Sequence, residues 1–204
     1  MRIAGLYAVT DTGCCDLKGR ERVRAALAGG ARMLQVRCKD ARPSVDVVRA
    51  LVALGHAHGA PVIVNDDVGL AREAGADGVH LGREDTTLES ARAALGPSAI
   101  IGVSCYADLG RARDAAARGA DYLAFGSFYP SRTKPHAVRA EPSLLTAARV
   151  LGKPLVAIGG ILPENGRALI AAGASALAVI DGVFGQYDIE GAARAYQRLF
   201  EEIL

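Results

Sequence analysis

Short apolar runs recur along this chain, each introduced by alanine-rich sequence and a glycine. "AGGARMLQV", "AHGAPVIV", "EAGADGVHL", "ARGADYLAF" and "AAGASALAV" share this pattern. Their glycines are Gly30, Gly59, Gly75, Gly119 and Gly173, and glycine tolerates the left-handed conformation that ends helices. Weaker copies stand at Gly96 before "SAIIGVS" and at Gly152 before "KPLVAIGG". Seven helix-to-strand junctions result, and the run "IAGLYAVT" ahead of them makes eight strands.

The intervening segments carry apolar residues at helical spacing. Ile189, Ala192, Ala193, Tyr196, Leu199, Phe200 and Ile203 form one stripe, and Val45, Val48, Leu51 and Val52 another, with Ser44 placed to cap the second. Strands alternating with helices build parallel βαβ units. Eight such units in 204 residues predict an α/β protein, a (β/α)8 TIM barrel forming a single domain over residues 1–204. A doubly wound open sheet is the alternative. The even repeat favours the barrel, and the lack of a Gly-x-Gly-x-x-Gly opening a helix weakens a dinucleotide-binding reading.

Composition narrows the field without naming a function. Half of the residues are apolar, 23% are charged and the net charge is +2. Disorder is not indicated, and the charge gives no basis for binding nucleic acid or an acidic membrane. The apolar runs are far too short to span a bilayer. The N-terminal "MRIAGLYAVTD" lacks a hydrophobic region followed by a cleavage site, so a cytoplasmic protein is expected. The spacing of Cys14, Cys15, Cys38 and Cys105 matches neither a disulfide framework nor a zinc site, and reduced thiols are expected.

The polar exceptions to the apolar pattern fall near strand ends. In "LQVRCKD", Gln35, Arg37 and Lys39 share one strand face, while Leu34 and Val36 share the other. In a barrel, Leu34 and Val36 suit the helix side. The polar three then point inward and up at the C-terminal mouth, where this fold carries its active sites. Two cations there need an anionic partner. A structural ion pair and an anionic ligand explain them equally well at this level.

Further strand ends add Asn65, Asp66 and Asp67, then Glu84 and Asp85, Ser104, the loop "GSFYPSRTKP", Gly159 and Gly160, and Asp181. Hydroxyls at Ser131 and Thr133 with cations at Arg132 and Lys134 can wrap a phosphate. Gly159-Gly160 lets backbone amides approach one closely. Asp66 and Asp85 are hard oxygen ligands suited to Mg²⁺ beside phosphates, or else caps of the following helices. His80 is expected in the barrel core, and no Ser-His-Asp or Cys-His arrangement is evident.

Taken together and in order, "QVRCKD", "VNDDVGLAREAGADGVHLGRED", "IIGVS", "YPSRTK" and "AIGGI" resemble the thiamine phosphate synthase family. The resemblance runs from "LYAVTD" almost to the C-terminus. It implies a (β/α)8 transferase that joins a hydroxymethylpyrimidine diphosphate to a thiazole phosphate and releases pyrophosphate. By position, Gln35, Arg37, Lys39, Asn65, Ser104 and Lys134 would hold the pyrimidine diphosphate. Asp66 and Asp85 would bind Mg²⁺, and Ser131, Arg132, Thr133, Gly160, Ile180 and Asp181 would surround the thiazole phosphate. Arg37, Lys134 and Ser104 are the candidate catalytic residues.

Two positions depart from the family pattern. Cys105-Tyr106 stands where threonine-histidine is common, and Asp181 where serine is common. The implied chemistry is loss of pyrophosphate, then capture of a pyrimidine cation by the thiazole nitrogen, which needs no strong general base. The expected partners are the two small substrates, with no nucleic acid or membrane, and homo-oligomer formation is left open. A thiazole tautomerase of the same family and a non-catalytic phosphate-binding barrel are the rival readings.

Overall fold

The computed structural model describes residues 3–17, 19–39, 42–130 and 138–201. Eight parallel strands close into a barrel in sequence order. They are β1 (Gly5–Val9), β2 (Met33–Val36), β3 (Val62–Asn65), β4 (Gly78–Leu81), β5 (Ile100–Tyr106), β6 (Tyr122–Phe125), β7 (Leu155–Ile158) and β8 (Ala176–Val179). Closure is made by β8 pairing with β1, Tyr7 standing opposite Ala178. The expected barrel is the observed one, and the open sheet is excluded.

Helices α1 (Arg20–Ala28), α2 (Val45–Ala57), α3 (Val68–Ala74), α4 (Leu88–Leu95), α5 (Leu109–Ala117), α6 (Ser143–Ala148) and α7 (Pro163–Ala172) each follow one strand. A short α8 (Asp181–Phe184) and the longer α9 (Ile189–Glu201) complete the ring. Ser44 caps α2 as its position predicts, its Oγ accepting from the Val47 N–H. All seven junction glycines have φ between +64° and +121°, so the repeat in the sequence is a repeat of helix stops. Among the described residues no helix is long and apolar enough to cross a membrane.

Period-two alternation sorts the apolar residues into two cores. Leu6, Ala8, Leu34, Val36, Val62 and Val64 pack outward against the helices. Tyr7, Val9, Met33, Ile63, Tyr122 and Val156 fill the barrel itself. In α9, Ala193, Tyr196 and Leu199 are buried, in line with the expected stripe. Its Tyr196 hydroxyl donates to the Ile161 carbonyl at 2.9 Å, tying α9 to the loop after β7.

Two expectations are corrected. Strand 5 does not stop before Ser104 but continues to Tyr106, with a register irregularity between Ser104 and Tyr106. The cysteines are not all thiols: Cys15 and Cys38 form a disulfide with Cα atoms 5.8 Å apart. Their sequence spacing gave no hint, because it is the pairing of β1 with β2 that brings the two following loops together. Cys14 and Cys105 are free and buried, and burial pushes both thiols up to about 12, which leaves them inert.

The disulfide spans a sequence separation of 23. Chain-entropy arguments give such a loop about 3 kcal/mol of stabilisation. A dithiol reductant is therefore expected to lower the urea midpoint of the wild-type protein, and to leave that of a Cys15→Ser/Cys38→Ser double variant unmoved.

Candidate active site

A cavity of about 730 Å³ opens at the C-terminal ends of the strands. Gln35, Arg37, Asn65 and Ser104 line one side, from β2, β3 and β5. Gly159, Gly160, Ile180 and Asp181 line the other, after β7 and β8. Lys39 stands apart from them in an adjoining groove, which it shares with Asn65 and Asp66. Ser131, Arg132, Thr133 and Lys134 lie outside the described residues, although Pro130 and Val138 on either side of them border the cavity.

Local structure explains how the strand-2 side chains are aimed. Gln35 follows the inward face and is 5% exposed, its Nε2 donating to the Tyr7 hydroxyl at 2.9 Å. Arg37 is half-buried just beyond the strand. Its backbone is held by Thr10, whose Oγ1 accepts from the Arg37 N–H at 2.8 Å and donates to the Arg37 carbonyl at 3.1 Å. Thr10 is fully buried, and the Cys15–Cys38 bridge fixes the next residue. Among the described residues the Arg37 side chain has no ion-pair partner within 4.0 Å. The structural ion pair considered from sequence is therefore absent from this part of the chain, and the cation faces the cavity.

The acids resolve in the same way. The helix caps are Asp67 on α3 and Thr87 on α4, so capping does not account for Asp66 or Asp85. Asp66 takes φ +63°, a conformation that non-glycine residues seldom adopt and that occurs at sites where the chain is held for function. It accepts from the Asn65 amide, and Asp85 accepts from the Gly82 N–H at 2.6 Å. Desolvation, reinforced by a hydrogen bond and repulsion from Asp85, pushes Asp66 up to about 6, while Asn65 and Arg37 pull it down. Two carboxylates pressed together call for a cation. Among the described residues no cluster of three acid, histidine or cysteine ligands forms, so a cation held by this pair would have to take its other ligands from water or a bound molecule.

On the opposite side, Gly160 has φ +62° and Gly159 φ +105°. A Cβ on Gly160 would lie 2.2 Å from the Pro130 carbonyl oxygen and 2.8 Å from Tyr129 backbone atoms. One on Gly159 would lie 2.0 Å from the Ser127 hydroxyl. The two glycines thus allow the loop after β6 to close on the loop after β7. Close approach of backbone amides to a phosphate is the reason for glycine expected from the sequence, and the contact between these two loops is a second one. Asp181 is exposed and begins α8, and its carbonyl accepts from Gly185 N–H and from the Gln186 amide.

His80 lies inside the barrel as expected, but its hydrogen bonds, and the parts of Tyr7, Tyr122 and Arg111, escaped sequence reasoning. Tyr7, Tyr122 and His80 join Gln35 to Ser104 through buried hydrogen bonds, and Tyr7 and His80 also line the cavity. The available signal was their inward register, with polar atoms at positions that alternation assigns to the barrel interior. Arg111 ties the tops of β4 and β5 together, donating to the Ser104 carbonyl at 2.7 Å and to the Gly82 carbonyl at 2.8 Å. At the departure from the family pattern, Cys105 faces the helix-side core. Tyr106, with φ +54°, lines the cavity under the Arg83 and Arg111 guanidinium groups.

A closed (β/α)8 barrel with a cation, a carboxylate pair and a glycine-built loop contact around one mouth defines a single-domain α/β protein whose polar groups gather where enzymes of this fold carry their active sites. The family described as thiamine monophosphate synthase matches residues 6–183, and this chain belongs to it. It is 52% identical over 204 residues to a thiamine-phosphate synthase of Thioalkalivibrio sulfidiphilus, covering 98% of this chain and 97% of that one. The identity to the Chromobacterium violaceum thiamine-phosphate synthase is 52% over 196 residues, with 95% of both chains covered. Among solved structures, thiamine phosphate pyrophosphorylase from Pyrococcus furiosus superposes with a TM-score of 0.89 at 35% identity, covering 98% of this chain and 97% of that one.

Proposed function

We propose that this chain is a cytoplasmic thiamine-phosphate synthase, a transferase joining hydroxymethylpyrimidine diphosphate to thiazole phosphate with release of pyrophosphate. The observation that carries this reading is a cavity of about 730 Å³ lined from two sides, by Arg37, Asn65 and Ser104 and by Gly160, Ile180 and Asp181. A tautomerase needs room for one monophosphate only, and has no use for an arginine that lacks an ion-pair partner among the described residues and stands beside two acids. Holding both substrates in one mouth converts their encounter into an intramolecular step.

In this reading Arg37 meets the diphosphate, and Lys39 meets it from the adjoining groove. Lys134 joins them from the loop after β6. Asp66 and Asp85 would hold Mg²⁺, which when bound neutralises charge on the diphosphate. Gln35, Asn65 and Ser104 contact the pyrimidine substrate. Ser131, Arg132, Thr133, Gly160 and the backbone at Ile180 and Asp181 receive the thiazole phosphate. As pyrophosphate departs, negative charge grows on its oxygens, and Arg37 is already in place to stabilise it. The thiazole nitrogen attacks with its own lone pair, so no general base is required. Pyrophosphate release that requires both substrates tests the proposal. Conversion of the thiazole alone would indicate the tautomerase, and binding without turnover the non-catalytic barrel.

The carboxylate pair gives a prediction that does not depend on turnover. The folded-state pKa of Asp66, about 6, lies above its ordinary 3.8. Between these values the folded protein holds the proton more tightly than the unfolded chain, so this group favours the metal-free fold at low pH. That contribution is lost as pH rises through the folded-state value. Mg²⁺ binds the charged pair, so its thermal stabilisation should be small at pH 5 and larger at pH 8. Calorimetry with and without Mg²⁺ measures this, and Asp85→Asn should remove most of the difference. A Mg²⁺ effect that is independent of pH and of Asp85 would take the metal away from this pair.

A further inference from the structure

The Cys15–Cys38 bond joins the loop that leaves β1 to the loop that leaves β2, and Cys38 stands between Arg37 and Lys39. The first of these loops has other ties. Asp11 accepts from Arg22 Nη1 at 2.7 Å and from Nη2 at 2.9 Å, and Arg22 also donates to the Phe184 carbonyl. Cys14 is fully buried in the helix-side core. The second loop has fewer. Thr10 pins the Arg37 backbone, and the next tie along the chain runs from Arg42 Nε to Asp67 at 2.6 Å. Between them, the Cys38 and Lys39 backbones make no hydrogen bond to another described residue. The disulfide is what holds this stretch.

The bond can be reached, and its reduced form is provided for. Cys15 and Cys38 are each partly exposed, and Cys38 lines the groove that also holds Lys39 and Asp66. Cys15 Sγ lies 3.4 Å from the Asp11 carbonyl oxygen and 3.9 Å from that of Arg37. A Cys15 thiol therefore finds acceptors for its S–H without moving. In the cytoplasm thiols are kept reduced, and the disulfides that form there are usually transient, catalytic or redox-sensing.

We propose that Cys15–Cys38 is a reversible redox site, with a dithiol as its reaction partner, whose state sets how firmly the protein holds the diphosphate. This rests on the reading that the protein is cytoplasmic and that Lys39 meets the diphosphate from the adjoining groove. A thiolate of the dithiol enters by the groove and attacks Cys38 Sγ. The Cys15–Cys38 bond breaks, Cys15 leaves as a thiolate and takes up a proton, and Cys38 is held in a mixed disulfide. The second thiol of the reductant, giving up its proton, attacks the reductant's own sulfur in that mixed disulfide. It closes the reductant's disulfide and releases Cys38, which is protonated in turn. Two electrons and two protons pass to the protein, and a disulfide oxidant reverses the exchange.

The oxidised protein presents Lys39 on a stretch that is already ordered. In the reduced protein the diphosphate must order that stretch as it binds, and the cost is taken from affinity. Arg37 keeps its place in both states, because Thr10 holds its N–H and its carbonyl. The loop after β1 keeps its tie to Arg22. Reduction is thus a change in capture of the diphosphate and not in the step that follows.

Alkylation of the folded protein, read by mass spectrometry, tests the site itself. After dithiol treatment it should mark Cys15 and Cys38 and leave the buried Cys14 and Cys105 unmarked. Kinetics test the consequence. In reduced wild type the KM for the pyrimidine diphosphate should rise roughly tenfold, the effect of about 1.4 kcal/mol of ordering cost. The kcat and the KM for thiazole phosphate should hold, the pattern of lost uniform binding, and reoxidation should restore the first KM. Cys15→Ser/Cys38→Ser should show the raised KM with or without reductant. Lys39→Ala should raise it too and abolish the response to reductant, and that variant keeps the disulfide.

A bond that the dithiol cannot open in the folded protein would overturn the proposal. So would a KM indifferent to redox state, a kcat that falls in step with binding, or a full response in Lys39→Ala. If oxidised wild type releases no pyrophosphate from the two substrates, the synthase reading fails. Calorimetry with inorganic pyrophosphate and Mg²⁺ then still decides the redox site, since reduction should weaken the Kd by roughly the same tenfold.

Discussion

Arg37→Ala is expected to lower the rate of pyrophosphate release by roughly 100-fold or more, with little change in melting temperature. Loss of one preorganised contact to developing charge has about that effect. The fold should tolerate the change, because Arg37 is half-buried at the mouth and has no ion-pair partner among the described residues. No buried carboxylate is orphaned by removing it. Asp66 would lose a charge that lowers its pKa, so the variant should also need a higher pH for full Mg²⁺ binding. Steady-state kinetics beside a thermal melt separate the possibilities. A variant that melts early while its folded fraction turns over at the wild-type rate would make Arg37 a structural residue.

Gly160→Val should be the most damaging single change at the thiazole-phosphate side, with Asp181→Ser as its mild counterpart. At φ +62° a β-branched residue is strained by roughly 1–2 kcal/mol before any contact is considered. Its Cβ would also lie 2.2 Å from the Pro130 carbonyl oxygen, a backbone atom with no easy way to yield. The loop after β6 must move, and it borders the cavity. The expected outcome is a loss of more than roughly 100-fold in kcat/KM for thiazole phosphate, equivalent to about 2.7 kcal/mol, measured on the folded fraction. Asp181 is exposed, and a phosphate held there by backbone N–H groups survives a change of side chain. Asp181→Ser should therefore move that KM by less than about tenfold, or about 1.4 kcal/mol. The opposite ranking would relocate the phosphate site away from the ends of β7 and β8.

The barrel was legible in the sequence because its determinants are local. Each helix stop needed a glycine, and each strand needed a short apolar run. Both recur at intervals that a reader can count. Strand alternation likewise sent Gln35 inward and Leu34 outward without any knowledge of what lay on either side. The candidate site was legible in part for the same reason. In a parallel barrel every strand ends at the same mouth, so residues after successive strands must gather there whatever separates them in the chain.

What sequence order could not disclose was which neighbours meet. The Cys15–Cys38 bond follows from the adjacency of β1 and β2, not from any spacing motif. Whether Asp66 or Asp67 caps α3 turned on a single backbone rotation at φ +63°. The link from Gln35 to Ser104 needed side chains of five strands to converge inside the barrel, with Gly102 clearing the space for one ring. Local pattern determines which way each residue points. Only closure of the barrel determines what stands opposite it, because hydrogen bonds and packed contacts depend on distance in space, and residues far apart along the chain become neighbours only when the last strand pairs with the first.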